Sequence, residues 1–81
     1  MTDQNRPEVY NHIAFLRADR EITRQDMAQA LAISYQELGY IEHGTILPSL
    51  ELALRISEYF GVLLEEVFSR KPFDEPRQGL D

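Results

Sequence analysis

The chain has 81 residues, which is too few for two domains, and 43% of them are hydrophobic, which is enough for one compact core. The absence of cysteine excludes disulfides and thiolate metal sites, so the cytoplasm is the expected compartment. Because neither a bilayer-length apolar run nor a signal-peptide pattern is present, we expect no membrane association. The formal net charge of -6 argues against non-specific nucleic-acid binding, because an acidic surface repels phosphates unless its cations lie on one face.

The order of polar, apolar and glycine residues predicts five short helices, at about 12–20, 24–31, 35–43, 50–60 and 63–68. Polar residues able to accept a hydrogen bond from a first-turn amide precede the first four helices: Asn11, Thr23, Ser34 and Ser49. Thr23 and Ser34 also have an acidic residue three positions later, as in a capping box. Gly44 and Gly61 stand where the third and fourth helices should end in a left-handed residue. We therefore predict an all-α domain with brief connections.

The predicted domain occupies residues 9–68. The polar residues 1–8 contain Pro7 and show no periodicity, so we expect a flexible N-terminal arm. Residues 69–81 are predicted to form a C-terminal tail. Its first part, 69–73, is expected to be extended, and the remainder, which contains Pro76 and Gly79, is expected to be disordered.

Several short motifs follow one another along the chain in a fixed order and spacing. They are Leu16-Arg17, Thr23-Arg24, Met27-Ala28, Ala-Ile-Ser at 32–34, Ile-Glu-His-Gly at 41–44 and Pro-Ser-Leu at 48–50. In this combination they resemble the helix-turn-helix of the XRE family, the Cro and lambda-repressor-like DNA-binding domains. The resemblance extends over roughly residues 12–68, which is most of the chain.

This resemblance implies a five-helix lambda-repressor-like fold that binds double-stranded DNA with its third helix in the major groove. It also implies a homodimer on a near-palindromic operator, and a structural ion pair between Arg17 and Glu42. Two departures oppose DNA binding: Glu37 stands where the family often has Thr or Ser, and the loop at 45–47 lacks basic residues. Ala32 replaces the family's turn glycine, which carries a cost if the turn needs a positive φ.

Nine residues are candidates for DNA contact: Arg24, Gln25, Tyr35, Gln36, Glu37, Gly39, Tyr40, His43 and Thr45. Gln36 can pair with adenine, whereas the tyrosines can donate to phosphate or touch thymine methyl groups. Arg24 replaces the family's glutamine where a helix start meets phosphate. The carboxylate of Glu37 either returns to the Ser34 amide or accepts from a cytosine amino group. The competing interpretation of this surface is a solvated helix face that carries two amphipathic tyrosines.

Several apolar residues stand where the family is usually polar, namely Phe15, Tyr59 and Leu63. Exposed groups of this kind mark a partner surface more often than chance. With the aromatic residues of the tail, they predict a dimer interface at Leu63, Phe68 and Phe73. His12 is unpaired in the sequence and receives no function.

The sequence thus predicts a DNA-binding transcriptional regulator, namely a repressor, that acts as a homodimer. The rival class is a protein-interaction module that kept the fold and lost operator binding, as the net charge and Glu37 suggest. A weaker rival is a regulatory subunit of an enzyme. We expect no enzymatic activity, cofactor or metal, because the sequence has no nucleophile motif, glycine-rich phosphate loop or metal-ligand spacing.

Overall fold

A computed structural model of the protein describes residues 9–73, which form five helices and two very short strands. Their order is β1 (Tyr10–Asn11), α1 (Ile13–Asp19), α2 (Arg24–Leu31), α3 (Tyr35–His43), α4 (Leu50–Phe60), α5 (Leu64–Val67) and β2 (Phe68–Ser69). The predictions for α2, α3 and α4 are confirmed to the residue, whereas α1 and α5 are each slightly shorter than expected. Within residues 9–73, every helix is too short or too polar to cross a membrane.

The predicted caps fix where three of the helices begin. The hydroxyls of Thr23, Ser34 and Ser49 accept hydrogen bonds from amides three residues later, at 3.0, 2.9 and 3.1 Å. Each bond satisfies a donor that the first helical turn leaves without an internal partner. Gly44 and Gly61 end α3 and α4 with φ of 79° and 72°, as predicted.

The start of α1 differs from the prediction. The N-cap is His12, whose side chain makes no capping bond, and Asn11 lies one residue earlier, in β1. The Asn11 Oδ1 accepts from the Ile13 amide at 3.1 Å. Its Nδ2 donates to the carbonyls of Ile41 and Glu42 at 3.0 and 3.1 Å. Asn11 therefore ties the start of the domain to the end of α3 as well as supporting α1.

A single core joins all five helices. Its buried residues are Ile13, Leu16, Met27, Ala28, Leu31, Leu38, Ile41, Leu52, Ile56, Phe60 and Val67. Each large side chain buried in this way stabilises the fold by about 1.5–3 kcal/mol before conformational entropy is subtracted. The inner face of α3 is held by Leu38 and Ile41, which are 0% and 1% exposed. The opposite face of α3 is consequently directed away from the core.

The two strands form an antiparallel ladder that the sequence did not predict, so the domain is not purely helical. Tyr10 pairs with Ser69 and Asn11 with Phe68, and the amide of His12 donates to the Val67 carbonyl at 2.8 Å. A strand of two residues is too short to show the alternation by which strands are recognised. The ladder brings both ends of the described chain together.

Aromatic residues assigned to a partner surface have contacts inside the domain. The His12 ring is stacked between Phe15 and Phe73, with 4.4 Å between centroids on each side. Phe68 and Tyr59 are partly buried against the core. The dimer prediction assumed that a monomer would expose the side chains of Leu63, Phe68 and Phe73. That premise is wrong for Phe68 and Phe73 and holds for Leu63, which is 62% exposed.

Candidate functional site

The outer face of α3 and the start of α2 form one surface cleft. Its volume is about 200 Å³, and its lining residues are Arg24, Tyr35, Gln36, Gly39, Tyr40 and His43. All six were among the nine DNA-contact candidates. Tyr35 and Tyr40 are 54% and 51% exposed, so each presents much of its ring to solvent. The cleft therefore lies on the outer face of α3, where amide, hydroxyl and ring atoms are open to a ligand.

The other three candidates do not line this cleft. Gln25 is exposed in the first turn of α2. Thr45 is exposed after α3, and its amide donates to the Tyr40 carbonyl at 2.9 Å. Glu37 is partly buried beside the cleft. Any contact these residues make with a ligand would be at the rim.

Glu37 forms only half of the predicted capping box. Its amide donates to the Ser34 hydroxyl at 2.9 Å, but its carboxylate makes no hydrogen bond or ion pair with any of residues 9–73. The expectation that this carboxylate returns to the Ser34 amide is therefore wrong. By contrast, Glu66 does form such a bond in α5, where its carboxylate accepts from the Leu63 amide at 2.8 Å. Among residues 9–73, the Glu37 charge thus has no partner that would fix its direction.

A buried carboxylate braces the cleft from behind. Arg17 Nε and Nη2 donate to the two carboxylate oxygens of Glu42 at 2.7 and 3.1 Å, as the family resemblance implied. The Glu42 side chain is only 4% exposed, so the pair lies mostly out of water. The hydrogen bond to Glu42 raises the pKa of Arg17 above its usual value. Arg17 also donates to the Ile22 carbonyl at 3.1 Å, which joins α1, the α1–α2 connection and α3.

Arg24 is a second cation on the same carboxylate. Its Nη2 lies 3.3 Å from Glu42 Oε1, and its side chain is 26% exposed. The guanidinium carbon is 5.2 Å from the centroid of the Tyr35 ring, a distance at which a cation and an aromatic face attract. The sequence placed Arg24 at the protein surface for a phosphate. The structure places it inside the cleft, between α2 and α3.

His43 closes the far end of the cleft. Its Nδ1 is 2.8 Å from the carbonyl oxygen of Gly39, and a carbonyl can only accept, so Nδ1 carries the proton in this contact. The bond ties the ring to the backbone of its own helix, four residues earlier. It also fixes the ring, which leaves Nε2 as the atom free to meet a ligand.

The sequence did not predict a second, apolar cleft of about 380 Å³. Its lining residues are Val9, Leu47, Pro48, Leu50, Ala53, Leu64, Glu65 and Phe68. Leu47 and Leu50 are 60% and 68% exposed, and Leu54 nearby on α4 is 43% exposed. A sequence signal existed, because α4 contains more apolar residues than one core-facing stripe requires, with Leu50 and Leu54 four positions apart.

No group of three or more His, Asp or Glu side chains within residues 9–73 has an arrangement suited to a metal ion. The cleft on α3 contains no serine or threonine beside His43. Its lining residues offer hydrogen-bonding and ring atoms to a ligand.

Comparison with known proteins identifies the family. A helix-turn-helix family model matches residues 13–67. An uncharacterised HTH-type transcriptional regulator of Methanocaldococcus jannaschii is 40% identical over 58 residues, covering 72% of this chain and 88% of that protein. Another, from Bacillus subtilis, is 33% identical with the same coverage. The crystal structure of a candidate DNA-binding protein from Bacteroides fragilis shares the fold, with a TM-score of 0.69 and 18% identity over 75% of this chain and 98% of its own.

The matched segment begins at the first residue of α1 and ends at the last residue of α5. It therefore includes all five described helices, the caps at Thr23 and Ser34 and the cleft between α2 and α3. The chain belongs to the helix-turn-helix family, and its resemblance to the XRE members is confirmed.

Proposed function

We propose that the protein is a sequence-specific DNA-binding transcriptional regulator, acting as a repressor, that inserts α3 into the major groove. The observation that carries this proposal is the outer face of α3. Its inner residues are locked in the core, whereas Tyr35, Gln36 and Tyr40 are exposed along a single cleft. A rigid helix with such an edge fits the major groove, which admits one α-helix.

Within this proposal, the cleft residues divide into two roles. Gln36 is assigned to base recognition, because its amide can pair with the N6 and N7 positions of adenine in a bidentate manner. Tyr35, Tyr40 and His43 are assigned to phosphate or thymine methyl contacts. Gln25 and Thr45, at the rim, are assigned to the phosphate backbone.

The decisive experiment is selection of bound fragments from random double-stranded DNA by the purified protein, followed by footprinting. We expect two half-sites with their centres about 10 base pairs apart. Gln36→Ala should lose about 1–3 kcal/mol of binding free energy on the selected site. Gln29→Ala, the same change at an exposed position of α2 outside the cleft, should leave affinity unchanged. Equal losses for both variants would contradict the assignment of Gln36.

We further propose that the regulator is a homodimer, and we move its interface to the exposed leucines. Leu63 is retained from the sequence prediction because it is exposed. Leu50 and Leu54 are added because both are exposed on α4, four positions apart, and Leu50 lines the apolar cleft. Phe68 is kept only as a lining residue of the apolar cleft. Phe73 is dropped, because its ring is stacked on His12.

Sedimentation equilibrium tests this interface. A Leu50→Gln and Leu54→Gln double variant should sediment as a folded monomer and lose affinity for a two-half-site operator. Ile46→Gln, at an apolar residue that is 39% exposed and outside the cleft, should leave the dimer intact. A wild-type chain that stays monomeric on its operator would remove the proposal.

The apolar cleft also favours one alternative, a protein-interaction module without operator binding. It is also supported by the net charge of -6 and by the Glu37 carboxylate, which has no partner within the described part of the chain. The two functions separate at low salt, where contacts to phosphate are least screened and DNA binding is easiest to detect. Failure of random-DNA selection at low salt would favour the interaction module.

A further inference from the structure

We infer that Arg24 serves the DNA-binding face from inside the protein, as a positioning residue for the Tyr35 ring, and is not itself a phosphate ligand. This inference rests on the proposed function. It replaces the role expected from the sequence, in which the arginine at the start of α2 contacts the DNA backbone directly.

The first argument concerns which donors of Arg24 remain open. Arginine binds phosphate best with two adjacent N–H groups in a fork. Here Nη2 forms an ion pair with the Glu42 carboxylate at 3.3 Å, and Nε is buried without a hydrogen-bond partner among residues 9–73. Both forks of the guanidinium include Nη2, and one of them also includes Nε. Of these two forks, the one formed by Nε and Nη2 is therefore closed to a phosphate, and the one formed by Nη1 and Nη2 shares Nη2 with the Glu42 carboxylate.

The second argument concerns what a movement toward DNA would break. The Glu42 carboxylate is 4% exposed and faces both arginines. Withdrawal of Arg24 would take one of two cations from a buried carboxylate and would also remove the cation from the Tyr35 ring. Binding of a phosphate at the surface would have to be more favourable than these two interactions combined.

The third argument concerns the space that the guanidinium occupies. A Cβ atom built on Gly39 would lie 3.4 Å from Arg24 Nη1 and 3.8 Å from its Cζ. The guanidinium therefore packs directly on the backbone of α3, where an alanine Cβ would still make ordinary van der Waals contact but a larger side chain would displace it. Gly39 was expected to let DNA approach closely. In the structure, it gives this room to Arg24.

These contacts define the mechanical role of Arg24. The guanidinium supports the Tyr35 ring, while about half of the tyrosine surface remains exposed, at 54%. A supported ring loses less rotamer freedom when it meets DNA than a free one does. Loss of the support should therefore reduce affinity only through Tyr35.

The test is a double-mutant cycle on the full chain and its selected operator. The variants are Arg24→Gln, Arg24→Lys, Tyr35→Ala and the Arg24→Gln/Tyr35→Ala combination, each measured over a range of salt concentrations. Arg55→Gln is the charge-matched control, because Arg55 lies on α4 and donates to Glu51 and the Leu31 carbonyl. Thermal melts confirm that each variant is folded at the temperature of the binding assay.

We expect Arg24→Gln and Arg24→Lys to weaken operator binding by the same roughly two- to five-fold, since a lysine keeps the charge but lacks the planar guanidinium that lies over the ring. The slope of log K against log salt should stay unchanged, and the double variant should bind no worse than Tyr35→Ala. Arg55→Gln should match wild type in affinity and slope.

Three outcomes would overturn the inference. A slope flattened by about one unit in Arg24→Gln and restored in Arg24→Lys would show a phosphate ligand. Additive losses in the double variant would show that Arg24 does not act through Tyr35. A lower melting temperature with unchanged affinity would show a purely structural residue. A wild-type chain that binds no DNA would instead refute the proposed function, and so differs from failure of this inference alone.

Discussion

Replacing Ala32 by glycine should stabilise the protein, because this residue holds a left-handed conformation that suits glycine better. Ala32 ends α2 with φ 60° and ψ 39°, and its amide donates to carbonyls of the last turn. An L-residue with a Cβ pays about 1–2 kcal/mol in this region. Glycine removes that cost but adds about 0.5–1 kcal/mol of unfolded-state entropy. Since Ala32 is exposed, almost no burial is lost, and the expected net gain is about 0.5–1 kcal/mol.

The assay is thermal and urea unfolding followed by helical circular dichroism. A gain of this size should raise the melting temperature by roughly 2–8 °C in a domain of this length. Ala30→Gly is the matched control, because Ala30 is equally exposed but lies inside α2. There the same change should cost about 1 kcal/mol. Equal destabilisation by both substitutions would refute the left-handed turn and the reasoning built on it.

Four further substitutions test the buried Glu42 carboxylate, the start of α3 and the space beside Gly39. Glu42→Gln should lower the free energy of unfolding by about 2–4 kcal/mol, because it leaves two arginines facing a neutral amide. A loss below about 1 kcal/mol in urea unfolding would contradict a stabilising role for the Glu42 carboxylate. Ser34→Ala should lower the free energy of unfolding by about 1 kcal/mol. Glu37→Gln should lower it by under about 0.5 kcal/mol, since only the interaction of its charge with the helix dipole is lost. Equal losses would indicate a complete capping box. Gly39→Ala should gain up to about 1 kcal/mol of helix propensity, and a clear loss in thermal melts would show that Arg24 cannot share the space.

The helix bounds were predictable because their signals are local. A serine or threonine cap, an apolar stripe and a terminal glycine lie within one short segment, and each acts through its neighbours. The strand pair depended on residues almost sixty positions apart, Tyr10 and Ser69. No local pattern distinguishes such a pair from a loop. The N-cap of α1 was predicted at the wrong residue for the same reason, because the Asn11 side chain donates to carbonyls of α3, which is distant in the sequence.

The site was predictable as a face but not as a set of contacts. Helical spacing separates Tyr35 and Tyr40 from the core residues of α3, and the structure agrees. Spacing could not show that Arg24 would share the carboxylate of Glu42. That contact requires α2 and α3 to cross with Gly39 facing the arginine. Residue type alone suggested a surface cation, because the competing partner is eighteen positions away.

The acidic composition has a different meaning once charges are placed. The residues that line the cleft include no carboxylate, and the nearest buried one, Glu42, is covered by two arginines. Residues 50–67, by contrast, contain four glutamates and one arginine. For the proposed operator complex, the cleft therefore neither strongly repels nor strongly attracts phosphate.

This balance favours specificity over affinity. Non-specific binding to DNA comes almost entirely from cations that displace counterions from phosphate. If Arg24 is committed to Glu42 and Tyr35, the α2–α3 cleft supplies few such contacts, and the salt slope should be shallow. Affinity would then depend on Gln36 and the ring contacts, which distinguish one base sequence from another. A regulator of this kind binds only weakly to the bulk of genomic DNA, so a modest affinity for its operator is enough for selective occupancy of that site.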